Sequence, residues 1–429
     1  MEIIKKLTQL KQSKSLINNA FWLFFDRFVR LGMGMFVGIW MARYLGPSDY
    51  GELNYATAIV GLFSILSTLG LDSIIIKKII DHPLEQSLYI GTSFFIRVAG
   101  SFLTLIVCAL WALIFDQNNV TVLIITCLLA LNPFFLCFDV IDYIFQSKLK
   151  SRNTVIAKNA AFIICSIIRV ILLIKGCSLL LLVVTYVIEA LLGAIGLALF
   201  YRFPNIFNWR FNLNIAKIIF KESWPLILSG VIVLLYMRVD QIMIDRILGP
   251  KEVGLYSVSV KFTELWYFIP MILTSTLYPK LISLKNDKIR YYKLCLQLLK
   301  GLFAISFSIS IIMTLFSTTL IHMLYGNAYI NAAFALKISI WTGVFVFWGV
   351  GVANILIIED LNIHNLKKSI HGVIINIALN FILIPKFGIN GAAMATLVSQ
   401  FYASYIYYLL NRSTRHIFLL QTKSILFFK

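Results

Sequence analysis

Charge is what this sequence has least of. Only 13% of its 429 residues are Asp, Glu, Lys or Arg, about half the share in a soluble globular chain. Acidic residues are scarcest, 19 against 38 Lys and Arg, which leaves a formal net charge of +19. Catalytic signatures are absent as well. There is no GxxxxGK[ST] loop, so ATP hydrolysis by that route is excluded, and the five histidines are scattered with no HExxH or other metal-ligand spacing. The six cysteines include no CxxC pair and read as small buried apolar residues rather than a disulfide or metal framework. No polar stretch is long enough for a soluble catalytic domain, and no cleavable signal peptide is expected.

What fills the chain instead is apolar: 60% hydrophobic residues and a mean hydropathy of +0.87. Runs of about 20 apolar residues recur from end to end, long enough to cross a bilayer as helices. The short alternating segments of a membrane β-barrel are missing. The expected fold is an all-α polytopic membrane protein with about twelve transmembrane helices, in two parallel-repeat six-helix lobes around a central cavity. The spans fall at 17–42, 52–76, 87–115, 120–146, 154–174 and 178–201, then 223–246, 254–278, 292–318, 332–358, 368–385 and 389–410. The expected domains are a lobe at 1–201, a polar linker at 202–221, a second lobe at 222–411 and a basic-apolar tail at 412–429 lying at the membrane surface.

The repeat rests on a phrase that occurs twice. Arg43-Tyr44-Leu45-Gly46-Pro47, with Gly51 four residues beyond the proline, matches Arg246-Ile247-Leu248-Gly249-Pro250 with Gly254. Proline suits the first turn of a helix, and glycine permits backbone conformations closed to other residues. An interhelical turn alone could use such a phrase. Five matched positions at equivalent places in two halves favour duplication. Six intervening spans return the chain to the same side, so the halves are parallel repeats.

Lysine and arginine in the loops set the orientation. One side collects Lys5, Lys6, Lys11, Lys14, Lys77, Lys78, Lys148, Lys150, Arg152 and Lys158, the basic residues of the linker, those after span 8, Lys367 and Lys368, and those of the tail; the other has Arg43, Lys175, Arg246, Lys251 and Lys386. Such asymmetry places both termini in the cytoplasm. The basic excess is topological, suited to an anionic leaflet, and no nucleic-acid partner is expected.

Ionisable groups left inside spans cost at least about 2.5–3.5 kcal/mol each at the bilayer centre, so they should face the interior, a partner or water. Arg30, Arg97, Arg238 and Lys261 lie deepest and are the candidate substrate-binding residues. Asp26, Asp139, Asp142, Glu189, Asp240 and Glu264 are candidates for ion coupling or charge pairing. Asp26 and Arg30 can pair at i, i+4, and Asp139, Asp142 and Gln146 draw one stripe along span 4. Arg169 lies near a span end and is expected to snorkel. Asp139 and Asp142 also invite a metal or glycosyltransferase reading, but a DxxD inside an apolar span is a weak signal, and the chain is not expected to be an enzyme. Arginine forks hold phosphate oxygens bidentately, so the buried cations suggest a cavity for an anion.

Several phrases have a family look. Asn19-Ala20-Phe21-Trp22-Leu23, Ala42 to Pro47 with Tyr50-Gly51, Leu69-Gly70-Leu71-Asp72, Tyr278-Pro279 and the stretch from Asn380 to Thr396 resemble polysaccharide-unit flippases of the Wzx type. These belong to the multidrug/oligosaccharidyl-lipid/polysaccharide exporter superfamily. The resemblance covers essentially the whole chain. It implies two six-helix lobes and alternating-access export of undecaprenyl-diphosphate-linked oligosaccharide units across the bacterial cytoplasmic membrane, for O-antigen or capsule assembly. It also implies proton or sodium coupling without other cofactors, and a polysaccharide polymerase as a partner. A cation-coupled multidrug antiporter of the same fold is the alternative.

Overall fold

The computed structural model describes residues 2–425, with side chains at 22 and from 24 to 425 except 205. The side chains of Lys5, Lys6, Lys11, Lys14 and Lys429, and of Asn19, Ala20, Phe21 and Leu23 in the quoted phrase, lie outside that set. The described residues are almost wholly helical and contain no strand. Nine helices among them are long and apolar enough to cross a membrane, and the chain is an integral membrane protein. Each of the twelve expected spans is helical. The first long candidate, Phe24–Asp81, covers two of them. The runs at 250–283 and 389–410 are helical but less apolar: one holds Lys261, Glu264, Pro270 and Pro279, the other a π-turn at Tyr402–Ile406.

Chain contacts divide the molecule into two compact units, Met1–Tyr44 with Ala56–Val231, and Leu45–Tyr55 with Ile232–Lys429. In the first, the helices Ser151–Ile174 and Leu179–Tyr201 form an antiparallel pair closed by the turn at Gly176, whose φ of +70° suits glycine. Span 4 is broken into pieces, Val120–Leu129, Asn132–Leu136, a 3-10 turn Cys137–Asp139 and Val140–Ser147. Pro133 at the start of the second piece cannot donate to the preceding turn. Residues 202–221 are packed rather than free: Trp209, Ile215, Ala216 and Ile219 join the core with Leu71, Ile75 and Ile141.

The second unit is built around Ala332–Ile358, most of whose inward face is buried against Lys288–Tyr325, Pro250–Glu264 and Ile389–Phe401. Trp348 and Phe347 are its fully packed centre. The tail also folds back. Arg415–Ile425 buries Ile417, Gln421 and Ser424 on this core and leaves Arg412, Arg415 and Lys423 exposed.

The duplicated phrase has one geometry in both copies. Gly46 (φ +72°) and Gly249 (φ +91°) each take a left-handed conformation, and the following proline opens the next helix. The second glycines have a different task. A methyl on Gly51 would stand 1.7 Å from the Pro250 carbonyl oxygen, and one on Gly254 would stand 2.0 Å from that of Pro47. The first turns of the two helices therefore cross in reciprocal contact, each glycine against the other copy's proline carbonyl. Arg246 and Tyr55, and Lys261 and Tyr50, add polar contacts along the same seam.

Candidate functional site

Each unit contains a cavity lined by ionisable groups. In the first unit a 360 Å³ cavity is walled by Asp26, Arg30, Asn132, Asp139, Lys158, Tyr186 and Glu189. Helical spacing puts Asp26 and Arg30 on one face, and the Arg30 Nε donates to Asp26 at 3.0 Å. The Arg30 fork also lies 3.9 Å from Glu189 and 5.3 Å over the Phe162 ring. Glu189 in turn accepts from Arg169 at 2.6 Å. Arg169 is buried, donates to Thr185 at 2.8 Å and stacks 3.9 Å over Tyr186. The snorkelling expected of Arg169 is thus corrected: it is held inward by a carboxylate, a hydroxyl and a ring.

Lys158, assigned to a loop from the sequence, lies inside the helix Ser151–Ile174 and pairs with Asp139 at 2.8 Å. Asp142 accepts from Thr154 at 2.5 Å and from Gln146 at 2.8 Å. Asp139 and Asp142 thus face Lys158 and Thr154, four residues apart on one face of the neighbouring helix. The cavity group contains three carboxylates, Asp26, Asp139 and Glu189, and three cations, Arg30, Lys158 and Arg169. Arg169 stands behind Glu189 rather than in the cavity wall, and with it the formal charge of the group balances. Arg97 does not line this cavity. It is buried, donates to the Tyr143 hydroxyl at 2.7 Å, and Tyr143 donates to Asp72.

In the second unit a 380 Å³ cavity is lined by Asp240, Glu264 and Lys368 together with Tyr236, Tyr256, Ser339, Thr342, Thr396 and apolar side chains. Asp240 is buried and receives three hydrogen bonds: Tyr256 at 2.8 Å, Thr396 at 2.5 Å and Asn380 at 2.6 Å. Three donors hold a buried carboxylate in place where, among the described residues, no cation pairs with it. Glu264 shares this cavity, with Arg238 and Lys261 as the opposite charges acting on it. Lys261 does not line the cavity; its ammonium sits 2.5 Å from the Tyr50 hydroxyl and 4.6 Å over that ring. No group of three or more His, Cys, Asp or Glu suited to a metal ion occurs among the described residues.

Lys368 was the larger omission. Counted from the sequence as a loop residue, it lies in the helix Ile363–Phe387, buried, with its ammonium in the cavity wall. A signal for it exists: Lys368, Gly372, Asn376 and Asn380 recur every fourth residue and are all buried, a polar ridge along an apolar helix.

The profile of polysaccharide biosynthesis proteins matches residues 40–334, well over half of the chain. The chain belongs to the polysaccharide biosynthesis protein family. Among relatives of this family member, the capsular polysaccharide biosynthesis protein CapF of Staphylococcus aureus is 25% identical over 376 residues, covering 84% of this chain and 90% of CapF. Two solved structures show the same fold at low identity. The lipid II flippase MurJ, in an inward closed conformation, aligns with a TM-score of 0.74 at 15% identity, over 96% of this chain and 91% of its own. An inward-facing multidrug MATE transporter of the MOP superfamily aligns at 0.69 and 14%, over 92% and 96%. The family member therefore has the MOP-superfamily transporter fold.

Proposed function

We propose that this protein is a flippase rather than an enzyme. It moves undecaprenyl-diphosphate-linked oligosaccharide units across the bacterial cytoplasmic membrane by alternating access, for capsule or O-antigen assembly. The observation that carries this reading is the charged cavity of the first unit. Five charged side chains line it and a sixth, Arg169, backs it. Charges among membrane-spanning helices carry a large desolvation cost, and a polar, ionic headgroup passing through is the use that justifies it. Arg30 is the substrate contact we favour. It is the more exposed arginine of the cluster, 35% against 4% for Arg169, so its fork can leave Asp26 for a diphosphate oxygen. Family membership and the CapF likeness support a polysaccharide cargo, and the MurJ fold suits a lipid-linked one. The loop charge asymmetry supports cytoplasmic termini.

Asp240 is the ion-coupling residue we favour, because a buried carboxylate surrounded by hydroxyl and amide groups can take a proton or a sodium ion without a new partner. The antiporter reading draws on the apolar walls and two carboxylates of the second cavity, which suit an organic cation; Lys368 in the same wall opposes it. Deleting the gene in its host tests both. Lost surface polymer with lipid-linked units accumulating on the cytoplasmic leaflet is expected. Normal polymer with raised drug sensitivity would point to the antiporter.

A further inference from the structure

Among the described residues lining the second cavity are one cation, Lys368, and two carboxylates, Asp240 and Glu264, neither of which pairs with it. Lys368 is 9% exposed. Its ammonium donates to the Tyr408 hydroxyl at 2.9 Å, and among the described residues the only other acceptor is the Gly349 carbonyl at 3.5 Å. Among the described residues no carboxylate lies within ion-pair distance of it. A buried ammonium normally has a counter-ion, because desolvating an unpaired charge is costly. One of its three N–H donors has no acceptor. The wall is closely packed beside it: a methyl on Gly349 would meet Ser404 Oγ at 2.8 Å and come to 4.0 Å from the Lys368 Nζ.

The same wall carries a second deficit. The Ser339 and Thr342 hydroxyls line the cavity, are buried and have no hydrogen-bond partner. Ser339, Thr342, Val346, Gly349 and Ala353 follow one face of the helix Ala332–Ile358. Helix rise puts Thr342 about 10 Å and Ser339 about 15 Å from the level of Gly349 and the ammonium. A ligand that satisfies all three groups has an anionic group at one end and hydroxyls about 10–15 Å away. The two carboxylates of the same cavity, Asp240 and Glu264, leave Lys368 as the one cation among its described lining residues to which an anionic group can bind.

We propose that this cavity is an anionic-saccharide subsite, in which Lys368 holds a carboxylate or phosphate oxygen and Ser339 and Thr342 take sugar hydroxyls. The subsite rests on the flippase reading for its biological cargo but not for its chemistry. Its anion comes from an acidic sugar of the repeat unit or from the phosphate that links the sugar to its carrier.

The test uses the full-length protein in lipid nanodiscs. Three probes are titrated: a disaccharide ending in glucuronic acid, glucose 1-phosphate, and neutral cellobiose. Lys368 is footprinted by reductive methylation and mass spectrometry with and without each probe. The expected result is that at least one anionic probe binds about tenfold or more tighter than cellobiose, the size of one charge-assisted hydrogen bond, and shields Lys368. Lys368→Met abolishes that preference and Lys368→Arg retains it. Ser339→Ala with Thr342→Ala weakens binding of the two disaccharides, which are long enough to reach those hydroxyls, more than that of glucose 1-phosphate. Preference for the uronic acid alone assigns the anion to a sugar; preference for the sugar phosphate alone assigns it to the linkage. Equal binding of all probes, an unchanged preference in Lys368→Met, or equal labelling with and without probe overturns the subsite. If Lys368→Met fails to fold, footprinting of the wild type decides. A deletion strain that keeps its polymer while purified protein still shows Lys368-dependent binding refutes the flippase and leaves the subsite standing.

Discussion

Replacing Gly51 with alanine puts a methyl where the Pro250 carbonyl oxygen already stands, at 1.7 Å. Ordinary contact needs about 3.5 Å, so the helices beginning at Pro47 and Pro250 must separate by nearly 2 Å at their crossing. Neither side can give locally, because the obstacle is helical backbone rather than a rotatable side chain. Overpacking of this kind costs about 1–3 kcal/mol, and the rigid obstacle puts Gly51→Ala at the upper end. Gly254→Ala, with its methyl 2.0 Å from the Pro47 oxygen, should cost a similar amount. Since both substitutions force the same separation, the double variant should cost clearly less than the sum of the singles. Gly301→Ala is the control. It is helical with nothing within 4 Å of the added methyl, so it should be neutral or gain up to about 1 kcal/mol of helix propensity. Melting of detergent-solubilised protein, followed by size-exclusion of the fluorescently tagged chain at one heating rate, reads the ranking. Wild-type melting of Gly51→Ala, or strict additivity in the double variant, would refute the crossing as the reason for the glycines.

Other outcomes follow from the charged groups. Glu189→Leu should cost about 3–5 kcal/mol, because it leaves the buried Arg169 guanidinium without its carboxylate, and Leu replacing both residues should recover much of that loss in the same melting assay. Arg30→Gln should melt near wild type, as expected for a partly exposed pair worth about 0–1 kcal/mol, yet lower surface polysaccharide; full polymer at normal protein levels would exclude Arg30 as a substrate contact. Asp240→Asn should remove any dependence of transport on the sodium or proton gradient, measured in proteoliposomes with imposed gradients, and an unchanged dependence would place coupling elsewhere. Gly249→Ala meets no neighbour but must hold φ at +91°, so it should cost about 1–2 kcal/mol and should add fully to Gly254→Ala.

The spans were legible because hydropathy over twenty residues reports lipid exposure directly, and the repeated phrase was legible because glycine and proline act through the backbone. The Asp26–Arg30 pair followed from helical spacing alone. Lys158 and Lys368 were hidden because each stands near the start of its expected span, 154–174 and 368–385, and reads there as a loop charge, whereas the helices begin earlier, at Ser151 and Ile363. Arg169 was hidden for another reason. Its partners, Glu189 and Thr185, lie on the next helix, and no spacing rule reaches across a helical hairpin.

The reciprocal crossing sets a timetable for the chain's own synthesis. The helix that begins at Pro47 finds its partner only when Pro250 and Gly254 have been made, about 200 residues later. At about 5–20 residues per second that is a wait of roughly 10–40 seconds. Through that interval Gly51 and Tyr55 sit in the bilayer with their seam empty, shielded only by lipid. A nascent chain stalled before residue 250 therefore lacks one whole side of this crossing, and the helix from Pro47 packs there only in the finished copy.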